Sequence, residues 1–154
     1  MSLAPQGVLK EKGKISSVKS ESLGRDHSIE ILNDILADEY ILFTKTLNYH
    51  WNIDGDRFFS LHQFLENQYN QLIEKMDMIA ERVKIINGYP VSTSAEIGFM
   101  SNISEMPGRF PKANVMLKNL FEAHQIIVSK IKTSLRSYPE AMERDPGRSE
   151  EHTS

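Results

Sequence analysis

Residues 32–83 read LNDILADEYILFTKTLNYHWNIDGDRFFSLHQFLENQYNQLIEKMDMIAERV, and the spacing of the apolar side chains in this stretch decides the fold. Leu32, Ile35, Leu36, Phe43, Leu47 and His50 recur at steps of three, four and seven, the spacing of one helix face. Ser28 stands where an N-cap belongs, and neither Pro nor Gly follows it until Gly55. The spacing therefore predicts a first helix from Ser28, about 26 residues and roughly 39 Å long at 1.5 Å per residue. Asp54, Gly55 and Asp56 supply turn chemistry, after which Leu61, Phe64, Leu65, Leu72, Met76, Ile79, Val83 and Ile86 define a second stripe. The run Asn87-Gly88-Tyr89-Pro90 stops it, so the second helix is expected over 58–87.

Outward from this pair, the connection from Pro90 to Pro111 is too long for a simple hairpin. It holds a weak helical patch from Ser94 to Met100 and breakers at Pro107 and Gly108, which predicts a short helix inside a crossover. Leu117, Leu120, His124, Ile127, Ile131, Leu135 and Tyr138 then line one face of a third long helix, expected to end at Pro139. Three long helices, two of them joined by a crossover, point to an all-α, ferritin-like four-helix bundle whose fourth helix is missing from this chain. The helical domain is expected over 27–138. Residues 1–26 carry Lys10, Lys12, Lys14, Lys19 and Arg25 against Glu11, Glu21 and Asp26, with few large apolar side chains, and read as a flexible, weakly basic tail. Residues 139–154 carry no apolar stripe and read as a disordered end. Their last seven residues, RSEEHTS (148–154), resemble the in-frame translation of a sequencing-library adapter, the alternative being an ordinary charged terminus.

Composition narrows the chemistry. A chain of 154 residues suits one domain. It contains no cysteine, which removes disulfides, thiolate metal sites and a cysteine nucleophile, so any metal must be held by imidazole, carboxylate or water. A formal net charge of -3 excludes wholesale electrostatic binding to nucleic acid and leaves only a locally basic segment for that purpose. The N-terminus has no apolar signal region and no stretch approaches the roughly 18 apolar residues of a membrane span, so a cytoplasmic protein is expected.

One constellation carries metal chemistry. His50 closes the first helix, His62 and Glu66 lie four apart near the start of the second, and Asp77 and Glu81 lie four apart in its far half. Each pair shares one helix face. His62 and Asp77 are 15 residues apart, roughly 22 Å along one helix, so a single ion cannot join them within one chain. Two copies packed antiparallel across a two-fold axis would bring His50, His62 and Glu66 of one protomer to Asp77 and Glu81 of its partner, and symmetry would make two such sites. Imidazole with carboxylate suits Fe(II), and a carboxylate-rich set favours the harder Fe(III) product. His124, on an apolar stripe with no carboxylate three or four residues away, reads as a core histidine. Tyr49 and Trp51 read as packing or interface residues that could also intercept one-electron oxidants, and Met76, Met78, Met100, Met106 and Met116 as core or connector filling.

The quoted stretch resembles the core of the Dps family, the DNA-protecting mini-ferritins of starved bacteria, and the likeness extends more loosely from Ile29 to Tyr138. The segment NYHWN (48–52), the LH twelve residues after its histidine and the D-x-x-x-E-R from Asp77 are specific in combination. The resemblance implies an intersubunit ferroxidase site with His50, His62, Glu66, Asp77 and Glu81 as iron ligands, the positions that spacing selects. It also implies a dodecamer that oxidises Fe(II) with hydrogen peroxide, stores the ferric product and protects DNA. Two departures stand out: Glu66 occupies a position where several relatives carry Asp, and the fourth helix is absent. The competing expectations are a structural, DNA-compacting nucleoid protein that binds phosphates through the tail lysines, and an inactive fragment that does not assemble. The weak charge of residues 1–26 makes DNA binding weak in either case.

Overall fold

The computed structural model describes the backbone of residues 7–143 and the side chains of residues 21–137. Its elements, in chain order, are α1 (Gly7–Asn52), α2 (Phe58–Ile85), α3 (Ser94–Met100) and α4 (Ala113–Glu143). Among the described residues the fold is all-α, with three long helices and the short one placed in the crossover.

The tight turn after α1 folds α2 back along it, with Gly55 at φ 97°, a left-handed conformation that glycine adopts without strain. Where α2 ends, Asn87 takes φ 63°, the amide of Gly88 donates to the carbonyl of Val83 at 2.9 Å and that of Asn87 to Lys84 at 3.0 Å. This is a Schellman ending, which satisfies two of the carbonyls a helix leaves bare at its C-terminus. The chain then returns to α1 through Asn33, whose side chain donates to the carbonyl of Tyr89 and accepts from the amide of Val91, both at 2.9 Å. Thr93 and Glu96 form a capping box that starts α3. Asp38 of α1 accepts from Ser101 Oγ at 2.8 Å and from the amide of Asn102 at 2.7 Å, anchoring the far end of α3. Asn119 donates to the Tyr49 hydroxyl at 3.0 Å and Lys130 pairs with Asp34 and Asp38, so α4 runs antiparallel to α1.

Helix α1 is the centre of the structure. Helices α2, α3 and α4 all pack on it. Leu42 of α1, Leu65 and Leu72 of α2 and Met116 of α4 are almost wholly buried, in a cluster with Ile35, Tyr49, Ile97, Leu120 and Ile127. Each such aliphatic side chain contributes about 1.5–3 kcal/mol relative to exposure.

Several expectations need correction. Helix α1 begins at Gly7, not Ser28, so the segment expected as a tail is helical from Gly7 onward, and residues 1–6 lie outside the described residues. Once a helix is nucleated, Lys, Glu and Ser propagate it without an apolar stripe. Ser28 accordingly caps nothing: its hydroxyl donates back to the carbonyl of Gly24 at 2.9 Å. Helix α4 continues past Pro139 to Glu143, because one proline removes a single hydrogen bond from an established helix and does not have to end it. The expected adapter-like residues 148–154 lie outside the described residues.

The stripe assigned to α4 also divides in two: its Leu120 and Ile127 are buried, together with Met116 and Ala123 from outside the stripe, whereas its Leu135 joins Phe121 and Val128 on a flank that no described helix covers. On α2, Phe64 is exposed instead of buried for the same reason, and Met78 points to solvent and fills no core.

Candidate functional site

Near the α1–α2 turn, His50 and His62 hold one another. His50 Nδ1 lies 2.9 Å from the backbone carbonyl of His62, and His62 Nδ1 lies 2.9 Å from the backbone carbonyl of His50. A carbonyl only accepts, so both Nδ1 atoms carry hydrogen and donate. In the neutral rings, both Nε2 atoms therefore keep a free lone pair, the state required of a metal ligand. The rings stack with centroids 3.7 Å apart and an interplanar angle of 23°. The two carbonyls belong to the last turn of α1 and to the second turn of α2. The geometry of the turn itself thus sets the tautomer.

Aromatic rings hold the pair on both sides. Phe58 stacks on His62 with centroids 4.9 Å apart, and Tyr69 meets His50 edge-on at 5.1 Å and 76°. Tyr69 in turn touches Phe43 of α1. Sequence reasoning missed Tyr69, although its position two turns after His62 on the same face of α2 was visible. Tyr49 and Trp51, which sequence reasoning did single out, lie elsewhere. Tyr49 is buried with its hydroxyl on Asn119, and Trp51 is exposed.

The carboxylates stand apart from the histidines to differing degrees. Glu66 lies one turn beyond His62 on α2 and is exposed. Asp77 and Glu81 are exposed further along the same helix. Among the described residues no three His, Asp or Glu side chains converge on one point that could hold a metal ion. The structure joins the two imidazoles and leaves the carboxylates facing outward, on a face of α2 that also carries exposed Phe59 and Ile73.

Glu39 and His124 lie apart from this site. Glu39 of α1 is 7% exposed and its Oε2 has no hydrogen-bond partner among the described residues. Burial raises its pKa, Lys75 opposes the rise and Asp38 adds to it. His124 of α4 is half-buried, and burial followed by the charge of Lys75 lowers its pKa.

The ferritin-like domain model matches residues 29–139. An uncharacterized low temperature-induced protein of Nostoc is 38% identical over 108 residues, covering 70% of this chain and 60% of its own length. The DNA protection during starvation protein 2 of Bacillus anthracis is 44% identical over 77 residues, covering 50% of this chain and 53% of its own length. The chain thus spans somewhat more than half the length of these curated relatives. Among solved structures, DpsC from Streptomyces coelicolor superposes with a TM-score of 0.74 at 28% identity, covering 79% of this chain and 70% of that one. Dps from Vibrio cholerae, described as a member of a broad superfamily of ferritin-like diiron-carboxylate proteins, gives 0.73 at 25% identity, covering 79% and 76%. With the family model covering most of the helical region and Dps proteins among both its sequence relatives and its structural neighbours, the chain belongs to the ferritin-like proteins, in the Dps family.

Proposed function

We propose that this protein binds Fe(II) as substrate at a site shared by two subunits, oxidises it with hydrogen peroxide, retains the ferric product and thereby protects DNA from oxidative damage in the bacterial cytoplasm. The observation that carries this reading is the reciprocal pairing of His50 and His62, which leaves two Nε2 lone pairs available on one chain. Two imidazoles suit Fe(II) but complete no site. Glu66 adds an oxygen from the same chain, and the partner's Asp77 and the partner's Glu81 supply the hard oxygens that favour Fe(III). Antiparallel packing of two α2 helices brings these sets together. Phe59 and Ile73, exposed beside the ligand positions, give that packing an apolar contact. In the reaction, two Fe(II) ions each give one electron to a peroxide, whose O–O bond breaks to leave two hydroxides. Peroxide is thus consumed without release of hydroxyl radical. The relatives named for DNA protection during starvation fit this outcome. A closed homo-oligomer, a dodecamer in this family's pattern, would enclose the ferric product.

The test is complementation. A His50→Ala/His62→Ala variant and an Asp77→Ala/Glu81→Ala variant are mixed under subunit exchange, which restores one complete site in each mixed dimer. Iron oxidation above that of either parent is expected. Mixed dimers confirmed by mass that oxidise iron no faster than the parents overturn the shared site.

A further inference from the structure

We infer that Phe58 is a positioning residue of the iron site: its ring lies flat on the face of His62 turned away from His50 and holds that imidazole to one plane, so that the Nε2 lone pair keeps one direction. The inference rests on the iron-oxidising function proposed above. Phe58 is the first residue of α2, and its amide donates to the carbonyl of Gly55 at 3.1 Å across the turn. Four residues separate it from His62, so the two side chains share one face of the helix. Their rings stack with centroids 4.9 Å apart and an interplanar angle of 24°. His50 stacks on His62 at 3.7 Å and 23°. Two rings this close cannot lie side by side on one face of an imidazole without overlapping each other, so Phe58 and His50 take opposite faces and His62 is sandwiched between them. Phe58 is half-buried and packs against the apolar core, which fixes the outer wall of the sandwich.

The sandwich supplies a restraint that the hydrogen bond does not. The bond from His62 Nδ1 to the carbonyl of His50 chooses the tautomer. A hydrogen bond, however, keeps most of its strength over about 30° of misalignment. A metal ligand has to be held to about 10–20° of its productive direction. With the bond alone the ring can tilt further than a metal site tolerates, and the Nε2 lone pair, which lies in the ring plane, tilts with it. A flat wall on each face closes that motion. The phenyl ring of Phe58 serves because it presents a plane, whereas a branched aliphatic chain touches an imidazole at points and leaves it room to tilt. Phe59 braces the wall from outside, meeting Phe58 edge-on at 5.6 Å and 77°. His50 is held differently, between the face of His62 and the edge of Tyr69. A tilt of His62 therefore also reaches His50 through the 3.7 Å stack.

The experiment uses the full chain and needs no oxidant for its main readout. Co(II), a stable stand-in for Fe(II), is titrated anaerobically, and its visible d–d absorption gives both the affinity and a signature of the coordination. Thermal unfolding of the metal-free protein reports packing separately. Phe58→Leu should bind Co(II) about five- to tenfold more weakly than the wild type, with a changed d–d spectrum, and Phe58→Tyr, which keeps the flat ring, should recover the affinity to within about twofold. Metal-free Phe58→Leu should still carry hydrogen on Nδ1 of His62 in long-range proton–nitrogen correlation, because the carbonyl of His50 remains in place. The Fe(II) concentration for half-maximal oxidation should rise by the same factor as the Co(II) dissociation constant. Phe58→Met is run beside Phe58→Leu, so that a fold lost in one leaves another side chain without a plane to test. A folded Phe58→Leu or Phe58→Met protein that melts earlier yet binds Co(II) within about twofold of wild type overturns the positioning role and leaves plain packing. Phe58→Tyr binding no better than Phe58→Leu overturns it too, as does hydrogen on Nε2 of His62 in Phe58→Leu, which would mean that Phe58 acts on the tautomer and not on the plane. Where His50→Ala/His62→Ala binds Co(II) and oxidises Fe(II) as the wild type does, the site reading falls and the positioning with it. Where that variant has lost both and Phe58→Leu keeps the wild-type affinity, the positioning alone falls.

Discussion

Lys130 Nζ on α4 lies 2.5 Å from Oδ2 of Asp38 on α1, and the Asp38 side chain has no solvent exposure. The same ammonium reaches Asp34 and the Asn102 side-chain carbonyl, each at 2.9 Å, so its three hydrogens meet three acceptors. Burial works against the charge on Lys130, but the hydrogen bonds and charges of Asp38 and Asp34 outweigh it and raise its pKa. The arrangement ties α4 and the end of α3 to α1 at one point.

Removing one partner of this pair strands the other. Lys130→Ala should destabilise the protein by about 3 kcal/mol, and Asp38→Asn/Lys130→Met should recover part of that loss. Because the folded pKa of Lys130 is raised, its contribution is fully present below the unfolded value of about 10.4 and is lost as pH rises through the folded value. Urea unfolding at neutral pH checks the first statement and unfolding across the alkaline range the second. A single variant within about 0.5 kcal/mol of wild type contradicts both.

Glu39 should behave in the opposite sense to a paired carboxylate. Its folded pKa is raised by burial, so the folded state holds the proton more tightly than the unfolded chain. Its contribution is therefore fully present below the unfolded value of about 4.3 and is lost as pH rises through the folded value. Glu39→Gln, neutral throughout, should gain on wild type by about 1 kcal/mol between pH 4 and pH 7. Denaturant midpoints at the two pH values decide it, and a difference independent of pH refutes the assignment.

Lys75 acts on His124 as well as on Glu39, from opposite sides of the balance. The folded pKa of His124 is lowered, so the stability it brings is fully present above the unfolded value of about 6.5 and is lost as pH falls through the window below it. Lys75→Met removes the repulsive charge and should move the His124 titration upward, though not to its ordinary value, because burial remains. A nuclear magnetic resonance titration of the imidazole carbon-bound protons reads this directly. An unmoved midpoint shows that burial alone sets it.

What the sequence made legible follows from what side-chain spacing encodes. The ends of α2 and the span of α3 were readable because Asp54, Gly55 and Asp56 before α2 and Asn87 and Gly88 after it supply turn chemistry that acts over four or five residues, and Ser94 to Met100 carries a short helical patch between breakers. The start of α1 was not, since a charged, polar segment without breakers extends a helix with no periodic signature. The division of the α4 stripe was hidden too: spacing says that Met116 and Phe121 are apolar and helical, and only the packing of α1 against one flank separates them. At the site, His50 and His62 were readable as a pair of donors. The two carbonyl bonds that set their tautomers were not, because they depend on how closely the turn brings the helix ends together.

The return from α2 to α1 depends on an absent side chain. A Cβ at Gly88 would lie 2.8 Å from Cγ1 of Ile29 and 2.8 Å from Cγ1 of Val83, and Val83 is fully buried. Gly88→Ala should cost about 1–3 kcal/mol through this overpacking. Asn87→Ala, at a left-handed position, should cost about 1–2 kcal/mol without any contact being lost. Thermal unfolding of the two variants checks both, and a Gly88→Ala protein as stable as wild type would mean that α2 moves away from Ile29 at no cost.

The reciprocal bonds of the histidine pair make a prediction that separates backbone from side-chain control. In the wild type, nitrogen chemical shifts from long-range proton–nitrogen correlation of the neutral rings should show hydrogen on Nδ1 and a bare Nε2 for both His50 and His62. His62→Ala deletes one ring and its bond to the carbonyl of residue 50, but the backbone carbonyl of residue 62 stays in place for His50 Nδ1. His50 should therefore keep its tautomer in that variant, while Co(II) binding, used as a stable stand-in for Fe(II), weakens by roughly tenfold or more through the loss of one ligand. A His50 ring that switches its hydrogen to Nε2 in His62→Ala would show that stacking, not the turn, sets the ligand state. Unchanged Co(II) affinity would remove His62 from the site.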